Sequence, residues 1–334
     1  MLLDKFTPFY GQHCETTVIG NLLQHFGLKL SEPMLFGIGE GFSYLYWDSK
    51  QMGFPFLGGR CKPDAITENI AKNLNFNLKV SETASRSKAW ESVKSKIDMG
   101  IPVGLKLDCY YLDYFTQKIH FAGHYVAMYG YDDTFAYLID TEQQGPAAKT
   151  RLESLADARS AKGPMASKNR SFTISMENEP PNLKNVIMIA IHNNAHDYLH
   201  PPIENVSFKG IRKTAKVITS WFDRPGVTPD QITLAGTIME KAGTGGALFR
   251  NMYRDFLIEC NALYPEMKFE GPIQKFTLIA EKWTEVSRLI CKAGDDANAQ
   301  PLKEASQILL EIATLEEDAM KLLFENTTAF NNES

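Results

Sequence analysis

The sequence has few cysteines, no long apolar run and no excess of basic residues, and each absence excludes a class of protein. Its five cysteines are scattered and never form a CxxC pair, which argues against a disulfide framework and against a zinc site. No stretch reaches the roughly 18 consecutive apolar residues that a transmembrane helix requires. With a net charge of −5, the chain also lacks a basic stripe for nucleic-acid phosphates. We therefore expect no membrane, nucleic acid or metal ion among its ligands.

The N-terminal residues also lack a secretory signal, because no basic region is followed by an apolar core there. Together with the scattered cysteines, this predicts a cytoplasmic protein with reduced thiols. The composition, with 44% hydrophobic and 22% charged residues, is that of an ordinary globular protein. At 334 residues the chain exceeds the usual size of a single hydrophobic core, so we expect two domains.

The pattern of apolar residues changes near residue 178. Before that point, helical patterns such as the one from Cys14 to Phe26 alternate with strand-like runs at 101–107 and 124–131. After it, helical periodicity dominates to the end of the chain and is interrupted by turns rich in glycine and proline. We therefore predict an α+β domain over residues 1–178, followed by an all-α domain over residues 179–334.

Cys14 begins the first predicted helix. A thiol attacks a carbonyl group as the thiolate, and the unpaired N–H groups at a helix start favour that anion. The same N–H groups can form part of an oxyanion hole. His124 opens a later strand, and a histidine is the usual partner that takes the proton of a catalytic thiol. We therefore regard Cys14 as the candidate nucleophile and His124 as its base, whereas the other four cysteines lack a comparable context.

The strand after His124 carries the acid that a catalytic triad needs. If the turn at residues 132–134 is tight and centred on its middle residue, Val126 lies opposite Asp140, on the face of the sheet that His124 shares. Asp140 is then a diagonal neighbour of His124, about 7–8 Å away, and can fix the orientation of the imidazole. A register slip of one residue would send Asp140 to the other face, and Glu142 is the alternative acid.

Three other features bear chemistry but fit a site less well. His120 is a rival histidine, yet it precedes the strand and lies in an aromatic segment. His192, His196 and His200 share one helical face, but a metal site needs a further ligand, and we predict none. The run at 243–246 (Gly-Thr-Gly-Gly) lacks the lysine and the preceding strand of a phosphate-binding loop, so we interpret it as a helix-entry turn.

Short motifs in both halves of the chain are similar to those of a known family. The first half carries Gly11-Gln12-His13-Cys14-Glu15-Thr16-Thr17, Gly27-Leu28-x-Leu30-Ser31-Glu32-Pro33, Phe36-Gly37-x-Gly39-x-Gly41, Pro102-Val103-Gly104, Tyr110-Tyr111-Leu112-x-Tyr114, His120-Phe121-x-x-His124 and Gly130-Tyr131-Asp132. The second half carries Gly243-Thr244-Gly245-Gly246-x-x-Phe249-Arg250-x-x-Tyr253-x-x-Phe256-Leu257. The first set resembles the N-terminal domain of butirosin biosynthesis protein H, and the second resembles the domain of unassigned function that usually accompanies it. The resemblance covers nearly the whole chain.

This resemblance implies a papain-like cysteine-enzyme fold for the first domain, used for synthesis in specialised (antibiotic) metabolism. It implies that Cys14 accepts an acyl or aminoacyl group from the phosphopantetheine thioester of an acyl carrier protein. The acyl group then passes to a small-molecule amine, which forms an amide. His124 deprotonates first the thiol and then the amine, and Asp140 orients His124. No tightly bound cofactor is implied.

The chain departs from the papain-like pattern at one point. Papain-like enzymes place an oxyanion-hole glutamine a few residues before the cysteine, where this chain has Thr7 and Pro8. Gln12 or backbone N–H groups are therefore the candidates for that role. Two other functions stay open, a hydrolase of the peptidase or amidase type that uses the same triad, and a non-catalytic scaffold that retains the fold. The acyl group, the amine and the oligomeric state also stay open.

Overall fold

A computed structural model describes residues 1–49, 53–145, 148–163, 165–177 and 179–333 of the chain. These residues fall into two compact units. Unit 1 comprises Met1–Leu35 and Ile66–Pro181, and unit 2 comprises Phe36–Ala65 and Asn182–Ser334. The chain therefore leaves unit 1 after Leu35, returns at Ile66 and leaves again after Pro181.

The units differ from the predicted domains, residues 1–178 and 179–334, in two respects. Unit 1 extends to Pro181, and an earlier segment of the chain belongs to unit 2. The segment Phe36–Ala65, which the prediction placed in the first domain, belongs to unit 2. The physical reason is aromatic packing, because Phe42 from this segment lies against Tyr198, Tyr253 and Phe276, with ring centroids 4.7–5.2 Å apart. Residue 178, the predicted boundary, lies outside the described residues.

The described residues form strands and helices throughout both units. The strands are β1 (Phe42–Trp47), β2 (Phe56–Arg60), β3 (Asn77–Ser81), β4 (Val103–Leu107), β5 (His124–Tyr131), β6 (Phe135–Ile139), β7 (Ala148–Arg151) and β8 (Ser171–Ser175). The helices are α1 (Cys14–His25), α2 (Glu32–Ile38), α3 (Ala65–Asn73), α4 (Arg86–Asp98), α5 (Leu152–Ser160), α6 (Leu183–Leu199), α7 (Ser207–Ile218), α8 (Pro229–Lys241), α9 (Arg250–Leu263), α10 (Glu270–Asp295) and α11 (Gln300–Glu333). Mixed helices and strands are thus followed by a helical region.

Unit 1 is built on a six-stranded antiparallel sheet with the strand order β3-β8-β4-β5-β6-β7. The central strand β4 is buried along its whole length, as the apolar run at 101–107 predicts. Apolar side chains of β4 and β5, such as Leu105 and Val126, pack with Val93 of α4 and Leu155 of α5 in one core cluster. Helix α1, which also packs on the sheet, buries all of its first ten residues. The sheet therefore supports both segments that carry the predicted site.

The β5–β6 hairpin has a different turn from the predicted one. The Asp132 N–H donates to the Phe135 carbonyl, so the turn is centred between residues 133 and 134. A β-bulge at Tyr129 then shifts the pairing by one residue, after which Ala127 lies opposite Ile139. Continuing that register by one residue places Asp140 opposite Val126. The predicted pairing is therefore reached through a bulge, without which Asp140 would face the other side of the sheet.

Unit 2 consists of the β1–β2 hairpin and helices α6–α11. Alternate β1 side chains, those of Phe42, Tyr44 and Tyr46, are buried, as expected for a half-buried strand. The run at 243–246 is a turn with three glycines at positive φ, and a short 3₁₀ turn joins it to α9. No helix among the described residues combines the length and the apolar character that crossing a membrane requires.

Candidate active site

Cys14 is the first residue of α1, and 8% of its surface is exposed. His13 before it is extended, and no side chain caps the helix from that position. The first helical bond is the one from the Thr17 N–H to the His13 carbonyl, at 2.9 Å. The Cys14 N–H, one of the groups that a helix start leaves unpaired, has no acceptor within the part of the chain that the structure describes. The thiol therefore lies beside a free backbone donor.

His124, the first residue of β5, is held by Asp140, which directly follows β6. The imidazole Nε2 lies 2.9 Å from Oδ1 and 2.8 Å from Oδ2 of Asp140. Both residues are buried, with exposed fractions of 8% and 1%. Because Nε2 faces the carboxylate, Nδ1 is the ring nitrogen left for the Cys14 thiol, which is close enough to His124 to raise its pKa. The structure thus brings together the side chains of Cys14, His124 and Asp140.

The surroundings of His124 stabilise its protonated form. Burial lowers the pKa of His124, but the charge of Asp140 and the hydrogen bond to it raise that pKa, and the Cys14 side chain raises it further. The net result is a pKa well above the ordinary value for histidine. A protonated imidazole next to a thiol favours the thiolate, the reactive form of cysteine.

Two residues of the connection between β4 and β5 complete the surroundings of the His124–Asp140 pair. The Tyr114 hydroxyl donates to Asp140 Oδ2 at 2.7 Å, and the Phe115 ring meets the His124 ring edge-on at 5.4 Å. Burial and then the Asp140 charge hold the pKa of Tyr114 well above its usual value, so its hydroxyl remains a donor. Sequence reasoning assigned no role to either residue, although both belong to the aromatic run that follows β4.

Glu32 fixes the backbone just before Cys14. Its carboxylate accepts hydrogen bonds from the backbone N–H groups of Gln12 (2.7 Å) and His13 (2.8 Å) and from the Thr16 hydroxyl (2.7 Å). Burial raises the pKa of Glu32, although these three hydrogen bonds oppose the shift. Gly11 makes the close approach possible, since a Cβ there would lie 2.6 Å from Glu32 Oε1. Sequence reasoning missed this contact, which joins residues 20 positions apart.

Gln12 and Glu142, the other two predicted site residues, contact each other. The Gln12 amide donates to Glu142 Oε2 at 2.5 Å, and the Glu142 N–H donates to the Gly11 carbonyl at 2.9 Å. Glu142 therefore does not orient His124, a role for which Asp140 has the contacts. Gln12 lies two residues before Cys14 with one of its two amide hydrogens engaged by Glu142.

The remaining histidines have separate partners. His120 Nδ1 lies 2.8 Å from Asp108 Oδ2, so the rival histidine belongs to a second histidine–aspartate pair. His192 Nδ1 lies 3.1 Å from the Thr327 hydroxyl oxygen, and the His192 ring stacks on Phe324. Within the described ranges, no three histidine, cysteine or acidic side chains are grouped so as to hold a metal ion.

Two families match the chain, and together they cover most of it. The family described as "Butirosin biosynthesis protein H, N-terminal" matches residues 13–141, a range that contains Cys14, His124 and Asp140. The family described as "Domain of unknown function (DUF4872)" matches residues 153–323. No curated protein sequence matches the chain.

Proposed function

Because the chain belongs to the family that joins the N-terminal domain of butirosin biosynthesis protein H to DUF4872, we propose that it is a cysteine-dependent, amide-forming acyltransferase of antibiotic biosynthesis. Its catalytic domain is of the papain-like kind in this proposal. One observation carries it, the contact of a buried thiol at a helix start with an imidazole whose far nitrogen is held by a buried carboxylate. That arrangement activates a nucleophile and returns its proton to a leaving group.

In the first step, the Cys14 thiolate attacks the thioester carbonyl of an acyl group carried on the phosphopantetheine of an acyl carrier protein. His124 has taken the thiol proton, and the Asp140 carboxylate stabilises the resulting imidazolium. The free Cys14 N–H, with Gln12 nearby, is suited to stabilise the oxyanion of the tetrahedral intermediate. The carrier thiol leaves with the proton from His124, and the acyl group remains on Cys14 as a thioester.

In the second step, a small-molecule amine attacks the Cys14 thioester, and the C–N bond forms as the C–S bond breaks. One proton of the amine passes to His124 and then to the Cys14 sulfur, which restores the free enzyme. A thioester exchanged for a thioester costs little free energy, whereas the amide makes the second step irreversible. The burial of Cys14 supports synthesis over hydrolysis, because it limits the access of water to the acyl-enzyme.

The carrier protein, the amine and a cytoplasmic location are parts of the same proposal. The donor is the only cofactor-like group required, and it arrives attached to the carrier. The odd number and scattered spacing of the five cysteines support a reducing compartment.

The proposal is tested by incubating the purified chain with acyl carrier protein thioesters that bear a panel of acyl and aminoacyl groups, with and without primary amines. Intact mass follows acylation of the chain, and chromatography with mass detection follows the amide and the free acid. We expect acylation of the chain, and an amide when an amine is present. Free acid alone, unchanged by amines, would assign the chain to the hydrolases. If no donor gives acylation or product, the proposal is wrong and the chain is assigned to the remaining alternative, a non-catalytic scaffold.

A further inference from the structure

A second histidine–aspartate pair lies near the first, where the end of β4 adjoins the start of β5. Asp108 directly follows β4, and Leu107, the last residue of β4, pairs with His124, the first residue of β5. The β4–β5 connection runs from Asp108 to Gly123 and contains His120. The two pairs are therefore anchored at adjacent strand ends, and the same connection supplies the ring of Phe115 that contacts His124.

The second pair is rigidly built but leaves one nitrogen exposed. Asp108 is 3% exposed, and its Oδ1 accepts the backbone N–H groups of Tyr110 (3.1 Å) and Phe121 (2.9 Å). Its Oδ2 holds His120 Nδ1 at 2.8 Å. The His120 ring stacks on Tyr110 at 3.9 Å and meets Tyr111 edge-on, yet 61% of its side chain is exposed. A buried carboxylate thus fixes an imidazole whose Nε2 has no partner within the described residues.

Cys109 lies within electrostatic range of both pairs. Burial raises the pKa of this thiol most, the His124 charge lowers it, and the charges of Asp108 and Asp140 raise it further. Cys109 also contacts both neighbours of His120 in the chain, because its thiol donates to the Ile119 carbonyl at 3.4 Å and its N–H donates to the Phe121 carbonyl at 3.3 Å. The exposed imidazole of His120 is therefore part of the surroundings of the proposed nucleophilic site.

In the proposed reaction, a protonated amine must lose two protons, and the His124–Asp140 pair accepts one of them. An aliphatic amine has a pKa of about 10, so at neutral pH it arrives as an ammonium ion with three N–H hydrogens. An amide nitrogen keeps one of them, so two protons must leave. His124 takes one of them and delivers it to the Cys14 sulfur. The other must be lost before the nitrogen has a lone pair with which to attack.

We propose that Tyr110, Tyr111 and His120 form the binding site for a protonated primary amine, and that His120 Nε2 removes its first proton. This inference rests on the proposed acyl transfer. The ammonium group donates a hydrogen bond to Nε2, next to the aromatic rings of Tyr110 and Tyr111 that contact His120. The proton moves to His120, and Asp108 stabilises the imidazolium that forms. The freed lone pair then attacks the Cys14 thioester, the C–S bond breaks, and His120 later releases its proton to water.

The test separates loading of Cys14 from transfer to the amine. Wild type and His120→Gln are first acylated with acetyl-pantetheine, and the adduct is followed by intact mass. Benzylamine, which is protonated at neutral pH, or trifluoroethylamine, which is not, is then added, and the decay of the adduct is timed. His25→Gln is the matched control, since His25 is a histidine of unit 1 at the other end of α1.

We expect His120→Gln to load at the wild-type rate within about twofold and to transfer to benzylamine about 10²-fold more slowly. Transfer to trifluoroethylamine should be unchanged, because that amine has no extra proton to lose. Asp108→Asn, which keeps an oxygen for the two backbone N–H groups, should show the same selective loss. Equal slowing with both amines, equal slowing of loading and transfer, or no slowing would each overturn the inference. A wild-type chain that never acquires the adduct would instead overturn the proposed function.

Discussion

Each unit contains a buried ion pair, and the two pairs differ in whether their hydrogen-bonding capacity is used up. In unit 2, Arg250 and Glu316 are both 0% exposed. All three guanidinium nitrogens donate, two of them to Glu316 at 2.8 and 2.9 Å and the third to the carbonyls of Leu248 and Gly59. Glu316 also accepts from Trp283 at 2.7 Å and from the Tyr198 hydroxyl. All the nitrogen and oxygen atoms of the two charged groups therefore have partners, and we call such a pair closed.

In unit 1, the pair of His124 and Asp140 leaves one ring nitrogen for a group outside the pair, and we call such a pair open. Asp140 is satisfied by His124, by the Tyr114 hydroxyl and by the Thr141 N–H. His124, however, uses one ring nitrogen on Asp140 and keeps the other for Cys14. In a closed pair, the hydrogen bonds offset the desolvation of the buried charges and fix the local structure. In an open pair, one charged group can still interact with a reacting group. The comparison predicts that substitutions in the closed pair lower the stability of the fold, whereas substitutions in the open pair lower the activity.

The largest effect is expected from removing the Cys14 thiol, which the open pair is proposed to activate. Cys14→Ala should lower amide formation by at least about 10³-fold, since the nucleophile is lost, while the free energy of unfolding stays close to wild type. Cys260→Ala is the matched control, because Cys260 is a fully buried cysteine of unit 2. If both variants lose the same activity, Cys14 has no special role.

Breaking the closed pair should affect stability. Arg250→Met leaves the Glu316 carboxylate buried without its cation, which should lower the free energy of unfolding by about 3–5 kcal/mol in denaturant titrations. The exposed pair of Arg288 and Glu285 provides the control, and Arg288→Met should leave the free energy of unfolding close to that of wild type. Equal losses in the two variants would mean that burial and closure of the Arg250 pair do not matter.

Weakening the open pair should change the pH dependence of loading. Asp140 raises the pKa of His124, so Asp140→Asn lowers it, and the imidazolium that supports the thiolate is lost at a lower pH. The loading rate at neutral pH should fall by about 10²-fold, and the alkaline limb of its pH profile should move to lower pH. Asp113→Asn is the control. Burial raises the pKa of Asp113, but hydrogen bonds from Arg151, Thr150 and Ser154 outweigh it and hold that pKa at about 2, and His124 is not among these partners. An alkaline limb that stays in place in Asp140→Asn would contradict the account.

The smallest effect is expected from removing one neutral donor from the open pair. Tyr114→Phe deletes the hydrogen bond to Asp140 and should slow loading by at most about tenfold, the worth of roughly 0.5–1.5 kcal/mol. Tyr137→Phe removes a similar bond to Asp132 in the β5–β6 hairpin and should leave loading unchanged. A loss in Tyr114→Phe as large as that in Asp140→Asn would show that the hydroxyl does more than support the carboxylate.

Local patterns were enough to predict the elements that carry the site. Helical spacing placed Cys14 at a helix start, and the apolar run after His124 gave the strand, because both signals lie within a few consecutive residues. The predicted pairing of Val126 with Asp140 is also correct, but for an incomplete reason. The turn is one residue longer than predicted, and the bulge at Tyr129 compensates. Because β5 is buried on both faces around the bulge, its side chains show no polar–apolar alternation from which the bulge could be predicted.

Long-range contacts could not be predicted in the same way. Glu32 has no feature in its own helix that marks it as the acceptor for the Gln12 and His13 N–H groups. Likewise, the glycine-rich and aromatic segment Phe36–Ala65 belongs to unit 2 although unit 1 residues flank it on both sides. Both features depend on which surfaces meet after folding, and that information lies in residues far apart along the chain.

The central claim is that the open pair activates Cys14 to carry an acyl group. Its most direct test is peptide mapping of the wild-type chain after a single turnover with an acyl carrier protein thioester and no amine. The account predicts a hydroxylamine-labile acyl mass on the peptide that contains Cys14, and none on peptides with Cys61, Cys109, Cys260 or Cys291. An acyl group on another residue, or an unmodified Cys14 while product forms, would contradict it.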